Sequence, residues 1–198
     1  MHDHRAGAKQ PHPFDPARAA VLDDPARFAY LDPAAIVALL DLPADATLLD
    51  FGTGTGMYAI EIARARPDVQ VLALDENPTM LAHAAQRVVS ANIANVRTIE
   101  PSELAPLRGG VDRILALNVL HELGDEVLRD LGTLLRPGGI AVVADWSSDV
   151  ERPHGPPREH TYGVDEARAR LARSGFRERS AMTFPFHYAF VVTVFVPA

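Results

Sequence analysis

Three glycines spaced two residues apart follow an apolar run in the stretch Leu48-Leu-Asp-Phe-Gly-Thr-Gly-Thr-Gly56. Glycine lets the backbone turn sharply and approach a ligand closely, because no side chain intervenes. The residues that follow, Met57 to Arg66, have the pattern of a helix, and its N-terminal amides would face the same space. The stretch therefore predicts a ligand-binding turn between a buried strand and a helix.

The glycine spacing narrows the choice of ligand. A dinucleotide site needs Gly-x-Gly-x-x-Gly, and counting from Gly52 and Gly54 places Met57 at the position of the third glycine. No Gly-Lys-Ser/Thr follows, which argues against a phosphate-binding Walker loop. The remaining pattern is Asp50-x-Gly52-x-Gly54-x-Gly56, followed by Asp75 at the end of the next apolar run. Taken alone, this pattern also fits another Rossmann-like cofactor site.

Alternating strands and helices must position these residues. Apolar runs bounded by turn residues predict seven strands, at residues 47–51, 69–75, 95–99, 111–117, 140–144, 176–184 and 188–196. Helical patterns separate most of them, at residues 57–66, 78–89 and 164–174, and a further helix starts at Asp32-Pro33. Such alternation predicts a mostly parallel sheet with ligands at the carboxyl ends of its strands. The short Pro185-Phe-His187 connection predicts a hairpin, so the last strand is expected to be antiparallel.

Composition limits the classes of function. The chain has 198 residues, of which 47% are hydrophobic, as in one soluble α/β domain, with residues 1–20 as a flexible or draped arm. No apolar run approaches the roughly 18 residues that span a bilayer, so we expect a cytoplasmic protein with no membrane partner. The absence of cysteine excludes thiolate chemistry, and the net charge of −7 disfavours nucleic acid as a partner.

Four features in this order resemble the class I S-adenosylmethionine-dependent methyltransferases. They are the Asp50-to-Gly56 motif, Asp75, the segment Asn118-Val-Leu-His-Glu-Leu123 and the turn Leu135-Arg-Pro-Gly-Gly139. The last two are familiar in the small-molecule, ubiquinone-biosynthesis-like (type 11) branch. The resemblance covers residues 14–196 and implies a Rossmann-like three-layer sandwich. Its seven-stranded, mostly parallel sheet would have the order 3-2-1-4-5-7-6, with strand 7 antiparallel.

The resemblance implies S-adenosylmethionine as the cofactor, and each part of that molecule has a candidate partner. The backbone from Gly52 to Gly56 would pack against the methionine and ribose, while Asp50 would organise the loop or pair with the ammonium group. Asp75 would accept the ribose hydroxyls, or alternatively cap the helix start at Asn77-Pro78. Further candidate cofactor contacts are Glu76, Met80, Ser102, Glu103, Leu104 and Asn118.

Methyl transfer to an acceptor is an in-line displacement that mainly needs positioning and desolvation. A general base helps only when the acceptor is protonated, and three histidines are candidates for base or acceptor orienter: His121, His160 and His187. A structural role for His121 is an equal alternative, because it lies where a helix is expected to start. A metal site shared by the three histidines is a less favoured alternative, because their helix, loop and hairpin settings give no ligand spacing to test. Surface or capping roles are the default, and we expect no metal.

The segment Gly155-Pro-Pro-Arg-Glu-His160 resembles an uncharacterised, mainly prokaryotic subgroup of these methyltransferases. Its prolines would stiffen a loop across the pocket and place Arg158 and His160 near the acceptor. Trp146 at the end of strand five and Tyr188 in the last strand complete the candidate acceptor contacts.

The resulting hypothesis is a methyltransferase that acts on a small or medium organic acceptor. The alternative is a noncatalytic S-adenosylmethionine-binding or scaffold protein that keeps the fold. A pocket lined by histidine and aromatic residues beside the methyl group would favour catalysis, whereas a filled or absent pocket would favour the alternative.

Overall fold

A seven-stranded sheet runs through the structure, a computed structural model that describes residues 22–194. The strands in chain order are β1 (Thr47–Phe51), β2 (Gln70–Leu74), β3 (Val96–Ile99), β4 (Val111–Leu117), β5 (Leu135–Trp146), β6 (Phe176–Thr183) and β7 (His187–Val194). Their order in the sheet is β3-β2-β1-β4-β5-β7-β6, and β7 is antiparallel to both of its neighbours. The predicted fold is confirmed, while the arm expected at residues 1–20 lies outside the described residues.

Helices cover both faces of the sheet. They are α1 (Pro33–Leu40), α2 (Met57–Ala65), α3 (Pro78–Ser90), α4 (Asp125–Leu134) and α5 (Val164–Arg173). Short 3-10 turns lie at Pro25–Ala29, Pro101–Glu103, Ala105–Leu107, Leu120–Glu122 and Arg158–His160. Between residues 22 and 194, no helix has the length and apolar character needed to cross a membrane.

The first helices begin where the sequence predicts. Asp32 Oδ1 accepts a hydrogen bond from the backbone N–H of Ala34 at 2.9 Å, and a proline follows Asp32 at the first helical position. Asn77 starts α3 in the same way, because its Oδ1 accepts from the N–H of Thr79 at 2.9 Å. These caps set the directions in which α1 and α3 leave the carboxyl edge of the sheet.

The hydrophobic core has two layers, one on each face. Leu48 packs into the layer that contains Ile36 of α1, while its neighbour Leu49 packs into the layer that contains Leu128 and Leu171. Successive side chains of a strand point to opposite faces, so β1 is buried on both sides. Its one acidic residue, Asp50, lies near its carboxyl end, where the ligand site was predicted.

Strand β5 begins at Leu135, five residues before the predicted start. Val111 pairs with Leu135 and Arg113 pairs with Ile140, so the Pro-Gly-Gly segment loops out within the strand instead of preceding it. Gly138 has a φ of 79°, a conformation that glycine adopts without strain and that lets the chain leave and rejoin the ladder.

The segment after β4 also departs from the prediction. It forms the 3-10 turn Leu120–Glu122, and extended residues Leu123 and Gly124 separate that turn from α4. The expected helix therefore starts at Asp125, beyond His121.

Candidate functional site

The glycine loop connects the end of β1 to the start of α2. Gly52, Gly54 and Gly56 all have positive φ angles, of 74°, 57° and 76°. A Cβ atom on Gly52 would lie 2.5 Å from Cγ1 of Val119, a distance that side chains do not tolerate. Glycine is thus required here both by the backbone conformation and by the close approach of the segment after β4.

Asp75 holds this loop in place. Its Oδ2 accepts a hydrogen bond from the N–H of Gly54 at 2.9 Å, and its Oδ1 accepts from the N–H of Asn77 at 2.9 Å. The carboxylate therefore joins the glycine loop to the residue that caps α3. Burial raises the pKa of Asp75, while the two backbone hydrogen bonds oppose this effect. Each carboxylate oxygen can accept more than one hydrogen bond, so these contacts leave capacity for a ligand.

Asp50 is the acid of the glycine motif and is deeply buried, with 3% of its surface exposed. Its Oδ2 accepts a hydrogen bond from the hydroxyl of Thr53 at 2.6 Å. Burial raises the pKa of Asp50 to about 6; the Thr53 hydrogen bond opposes the shift, and the nearby charge of Asp75 adds to it. A cation placed beside this carboxyl group would stabilise its ionised form.

A cavity of about 470 Å³ runs along the carboxyl ends of β1, β2 and β4. Eight of the residues that line it were named as candidates from the sequence: Asp50, Gly52, Gly54, Asp75, Glu76, Met80, Leu104 and Asn118. Gly56, Ser102 and Glu103 do not line it. The side chain of Glu103 instead accepts a hydrogen bond from Arg97 at 2.6 Å, so its carboxylate is paired within the protein.

Asn118 lies in the cavity wall with an unusual conformation. Its φ is 60°, and its backbone N–H donates to the carbonyl of Ala144 at 2.7 Å. Both polar atoms of its side chain are buried and have no hydrogen-bond partner among the described residues. An unpaired buried polar group costs about 1–3 kcal/mol, so this amide is placed for a ligand.

Arg27 lines the same cavity and was not predicted. It lies in the 3-10 turn Pro25–Ala29 and is only 8% exposed. Its Nη1 donates to the carbonyl of Leu22 at 2.7 Å, and its guanidinium lies 5.8 Å from the ring centre of Tyr58 in the first turn of α2. The side chain of Leu22 in turn lies against Gly54. Arg27 therefore stands at the glycine-loop end of the cavity.

This arrangement fits S-adenosylmethionine. Asp50 and Arg27 supply opposite charges at the glycine-loop end, matching the ammonium and carboxylate of an amino acid. Asp75 provides carboxylate oxygens for a diol, and Met80 and Leu104 provide apolar surface for a base. The amide of Asn118 offers both a donor and an acceptor.

On the acceptor side, His121 is held by Asp145. The backbone N–H of His121 donates to Asp145 at 2.8 Å, and its Nδ1 lies 2.9 Å from each oxygen of that carboxylate. Burial lowers the pKa of His121, but the charge and hydrogen bonds of Asp145, helped by Glu122, outweigh it and raise the pKa overall. Nε2 lies 3.5 Å from the carboxylate of Glu122. Glu122 lines the cavity, whereas His121 does not.

His187 lies on the other face of the sheet edge. It pairs with Trp146 across β5 and β7, whereas Asp145 pairs with Tyr188. Because neighbouring residues of a strand alternate between faces, His121 and His187 are separated by the sheet. The ring of His187 packs 4.0 Å from that of Trp146, between centroids, and neither ring lines the cavity. Burial lowers the pKa of His187 to about 3.

The loop after β5 carries the remaining candidate residues. Arg158 donates from Nε to the carbonyl of Ser148 at 2.9 Å and pairs with Glu151, so its charge is used within the loop. His160 ends the 3-10 turn Arg158–His160. Neither residue lines the cavity. Arg152, which was not predicted, lies 5.5 Å from the ring centre of Trp146.

Tyr188 is buried in the core layer of α4 and α5, and its hydroxyl has no hydrogen-bond partner among the described residues. Burial raises its pKa. Within residues 22–194, no group of three or more histidines or acids is arranged to hold a metal ion.

The fold is that of the class I S-adenosylmethionine-dependent methyltransferases, and the cavity residues are compatible with their cofactor. Residues 49–141 match a methyltransferase domain family. A crystal structure of an S-adenosylmethionine-dependent methyltransferase from Aquifex aeolicus superposes with a TM-score of 0.85 and 28% sequence identity, over 92% of this chain and 100% of that chain. Residues 49–141 thus carry the methyltransferase domain that this family model describes, and the comparisons indicate S-adenosylmethionine as the cofactor.

Two other proteins show weaker likenesses to the chain. The release factor glutamine methyltransferase of Salmonella typhimurium is 31% identical over 126 residues, which are 63% of this chain. The chain spans only 42% of the length of that enzyme. The [4+2]-cyclase SpnF has the same fold, with a TM-score of 0.65 and 21% identity over 76% of this chain and 57% of its own. This last likeness concerns the fold alone.

Proposed function

We propose that the protein transfers a methyl group from S-adenosylmethionine to a small or medium organic acceptor by in-line displacement. The observation that carries this proposal is the continuity of one cavity. It joins the glycine loop and Asp75 to Asn118 and Glu122, beyond the end of β4. A bound donor would therefore lie beside polar groups that can receive an acceptor.

The chain's own residues would hold the donor at three points. Asp50 and Arg27 would bind the amino acid end, and Asp75 would accept hydrogen bonds from the ribose hydroxyls. When bound, S-adenosylmethionine supplies a methyl group activated by a sulfonium. The protein would then contribute orientation and exclusion of water, which are the main requirements of this displacement.

The covered surface at the end of β5 supports a small acceptor. Trp146 is 6% exposed, and Gly155 packs so closely that a Cβ on it would lie 2.9 Å from the indole. Arg152 lies over the same ring. A region closed in this way admits a small molecule more readily than a segment of a folded protein. The glutamine substrate in the name of the Salmonella relative is therefore not part of this proposal.

A noncatalytic S-adenosylmethionine-binding protein is the second candidate. It is favoured by the packing of Trp146 and His187 against each other, because the aromatic acceptor positions are filled in this structure. The likeness to SpnF, whose name describes a cyclase, adds only that the fold does not by itself determine the reaction.

Two measurements separate these candidates. Calorimetry with S-adenosylmethionine tests the donor site, and incubation of fractionated metabolites with the methyl-labelled donor tests transfer. Label in a small product would support methyl transfer. The label should be absent with Asp75→Ala and retained with Asp68→Ala, the control at an exposed site. Tight donor binding without label in any fraction would favour the binding protein.

A further inference from the structure

Four rings form a cluster at the carboxyl end of β5 and the start of β7: Tyr30, Trp146, Phe186 and His187. The ring of Tyr30 lies parallel to that of His187, with an angle of 4° between the planes and 5.8 Å between the centroids. Its centroid is also 5.8 Å from that of Trp146 and 5.6 Å from that of Phe186. These are distances at which aromatic rings attract one another. The ring of Tyr30 thus occupies the space on the face of His187 that Trp146 and Phe186 border, and we call this space the slot.

His187 has polar atoms in this cluster that the protein does not use. It is 1% exposed, and neither ring nitrogen has a hydrogen-bond partner among the described residues. A neutral imidazole presents one donor and one acceptor, and leaving such groups buried and unpaired is unfavourable. A ligand that hydrogen-bonds to His187 while keeping the stacking would recover this free energy.

Tyr30 is the member of the cluster that can be replaced. It is partly exposed and follows the short 3-10 turn Pro25–Ala29, outside the sheet. Trp146 and His187, by contrast, are fixed by their pairing within the sheet. The same short turn carries Arg27, which lines the donor cavity. The slot that Tyr30 fills therefore borders the donor site.

We propose that this slot is the acceptor site and that it takes a planar aromatic molecule bearing a hydroxyl or amino group. The aromatic ring replaces that of Tyr30 on the face of His187, beside Trp146, and its polar group hydrogen-bonds to a nitrogen of His187. The proposal rests on the proposed methyl transfer, for which it names the acceptor class.

A pair of matched ligands tests the site directly. The two probes are 2-naphthol and its saturated counterpart decahydro-2-naphthol, which keeps the hydroxyl but has no flat ring. Trp146 is the only tryptophan of the chain, so its indole N–H gives one identifiable peak in a proton–nitrogen NMR spectrum. With S-adenosylhomocysteine at saturation, 2-naphthol is expected to shift this peak saturably and to bind at least about tenfold tighter than the saturated probe.

Three variants, with affinities measured by calorimetry, complete the test. Tyr30→Ala is expected to bind 2-naphthol at least about fivefold tighter, because no ring has to be displaced. His187→Phe keeps a flat ring without nitrogens and is expected to bind it about tenfold more weakly. Phe28→Ala serves as the control. Phe28 lies in the same turn, but its ring packs on Tyr58, so the affinity for 2-naphthol should not change.

Equal affinity for the two probes would overturn the proposal. The proposal would also be overturned if Tyr30→Ala and His187→Phe both bound 2-naphthol with the affinity of the natural protein. Failure of the proposed function gives a different result. If labelled methyl groups reach an acceptor that leaves the Trp146 peak unmoved, methyl transfer stands and the ring-cluster site is wrong. If 2-naphthol binds as expected but no metabolite is ever labelled, the site stands and methyl transfer does not.

Discussion

The carboxylate of Asp75 accepts a hydrogen bond from the backbone N–H of Gly54 at 2.9 Å, across 21 positions of sequence. The side chain thus shapes the glycine loop and at the same time lines the cavity that the loop encloses. Its loss should therefore affect both the loop and the ligand that the loop binds.

If Asp75 binds the ribose as proposed, Asp75→Ala should weaken S-adenosylmethionine binding by about 100-fold or more, because two charge-assisted hydrogen bonds would be lost. Calorimetry measures this change, and thermal unfolding should show a lower Tm because Gly54 and Asn77 lose their acceptor. The exposed carboxylate of Asp68, which pairs with Arg66, offers a matched control in Asp68→Ala. Unchanged affinity in Asp75→Ala would show that the ribose lies elsewhere.

Arg27→Met should discriminate between ligands with and without an amino acid end. We expect it to bind S-adenosylhomocysteine about tenfold or more weakly, because the carboxylate loses its guanidinium partner. Its affinity for 5′-methylthioadenosine, which lacks that end, should not change. A parallel loss for both ligands would instead assign Arg27 a role in keeping the cavity folded.

Donor binding should depend on pH through Asp50. Its pKa of about 6 means that the carboxyl becomes protonated as the pH falls from 7 to 5, and a neutral carboxyl no longer attracts an ammonium group. The affinity for S-adenosylmethionine should therefore fall over this range, with protons released on binding near pH 6. Asp50→Asn should bind more weakly at pH 7 and show a flatter pH profile. A profile in the variant as steep as that of the natural protein would place the ionisation on another group.

The main elements of the fold were predictable from local patterns, whereas several parts of the site were not. The bounds of β1 and β4 match their apolar runs because turn residues end both runs. The position of Arg27 depends on how a short turn packs over the glycine loop, which no spacing encodes. The contact of Trp146 with His187 depends on the register between β5 and β7, two strands that are far apart in the sequence.

His187 should make stability sensitive to acid. Its folded-state pKa of about 3 lies below the ordinary value of 6.5, so the unfolded chain takes up the proton first as the pH falls. Stability linked to this group is therefore present above pH 6.5 and lost below it, by about 2 kcal/mol between pH 7 and pH 5. Urea unfolding of His187→Phe should show a decline over this interval that is smaller by about this amount. Parallel declines in the two proteins would mean that His187 is protonated in the folded state.

His121 should have the opposite dependence. Asp145 raises its folded-state pKa above 6.5, so the stability that this pair contributes is fully present below that pH and is lost as the pH rises through the folded value. The advantage of the natural protein over His121→Gln in urea unfolding should shrink from pH 6 to pH 9. His83→Gln, which changes an exposed histidine of α3, serves as the control.

The loop between β5 and α5 is fastened largely to itself. Arg152 donates to the carbonyls of Ser147 and Pro156, and Asp149 accepts from the backbone N–H of Val164 at the start of α5. None of its residues lines the donor cavity. Substitutions within this loop should therefore leave the geometry of the donor cavity unchanged, so that the two ends of the carboxyl edge can vary independently of each other.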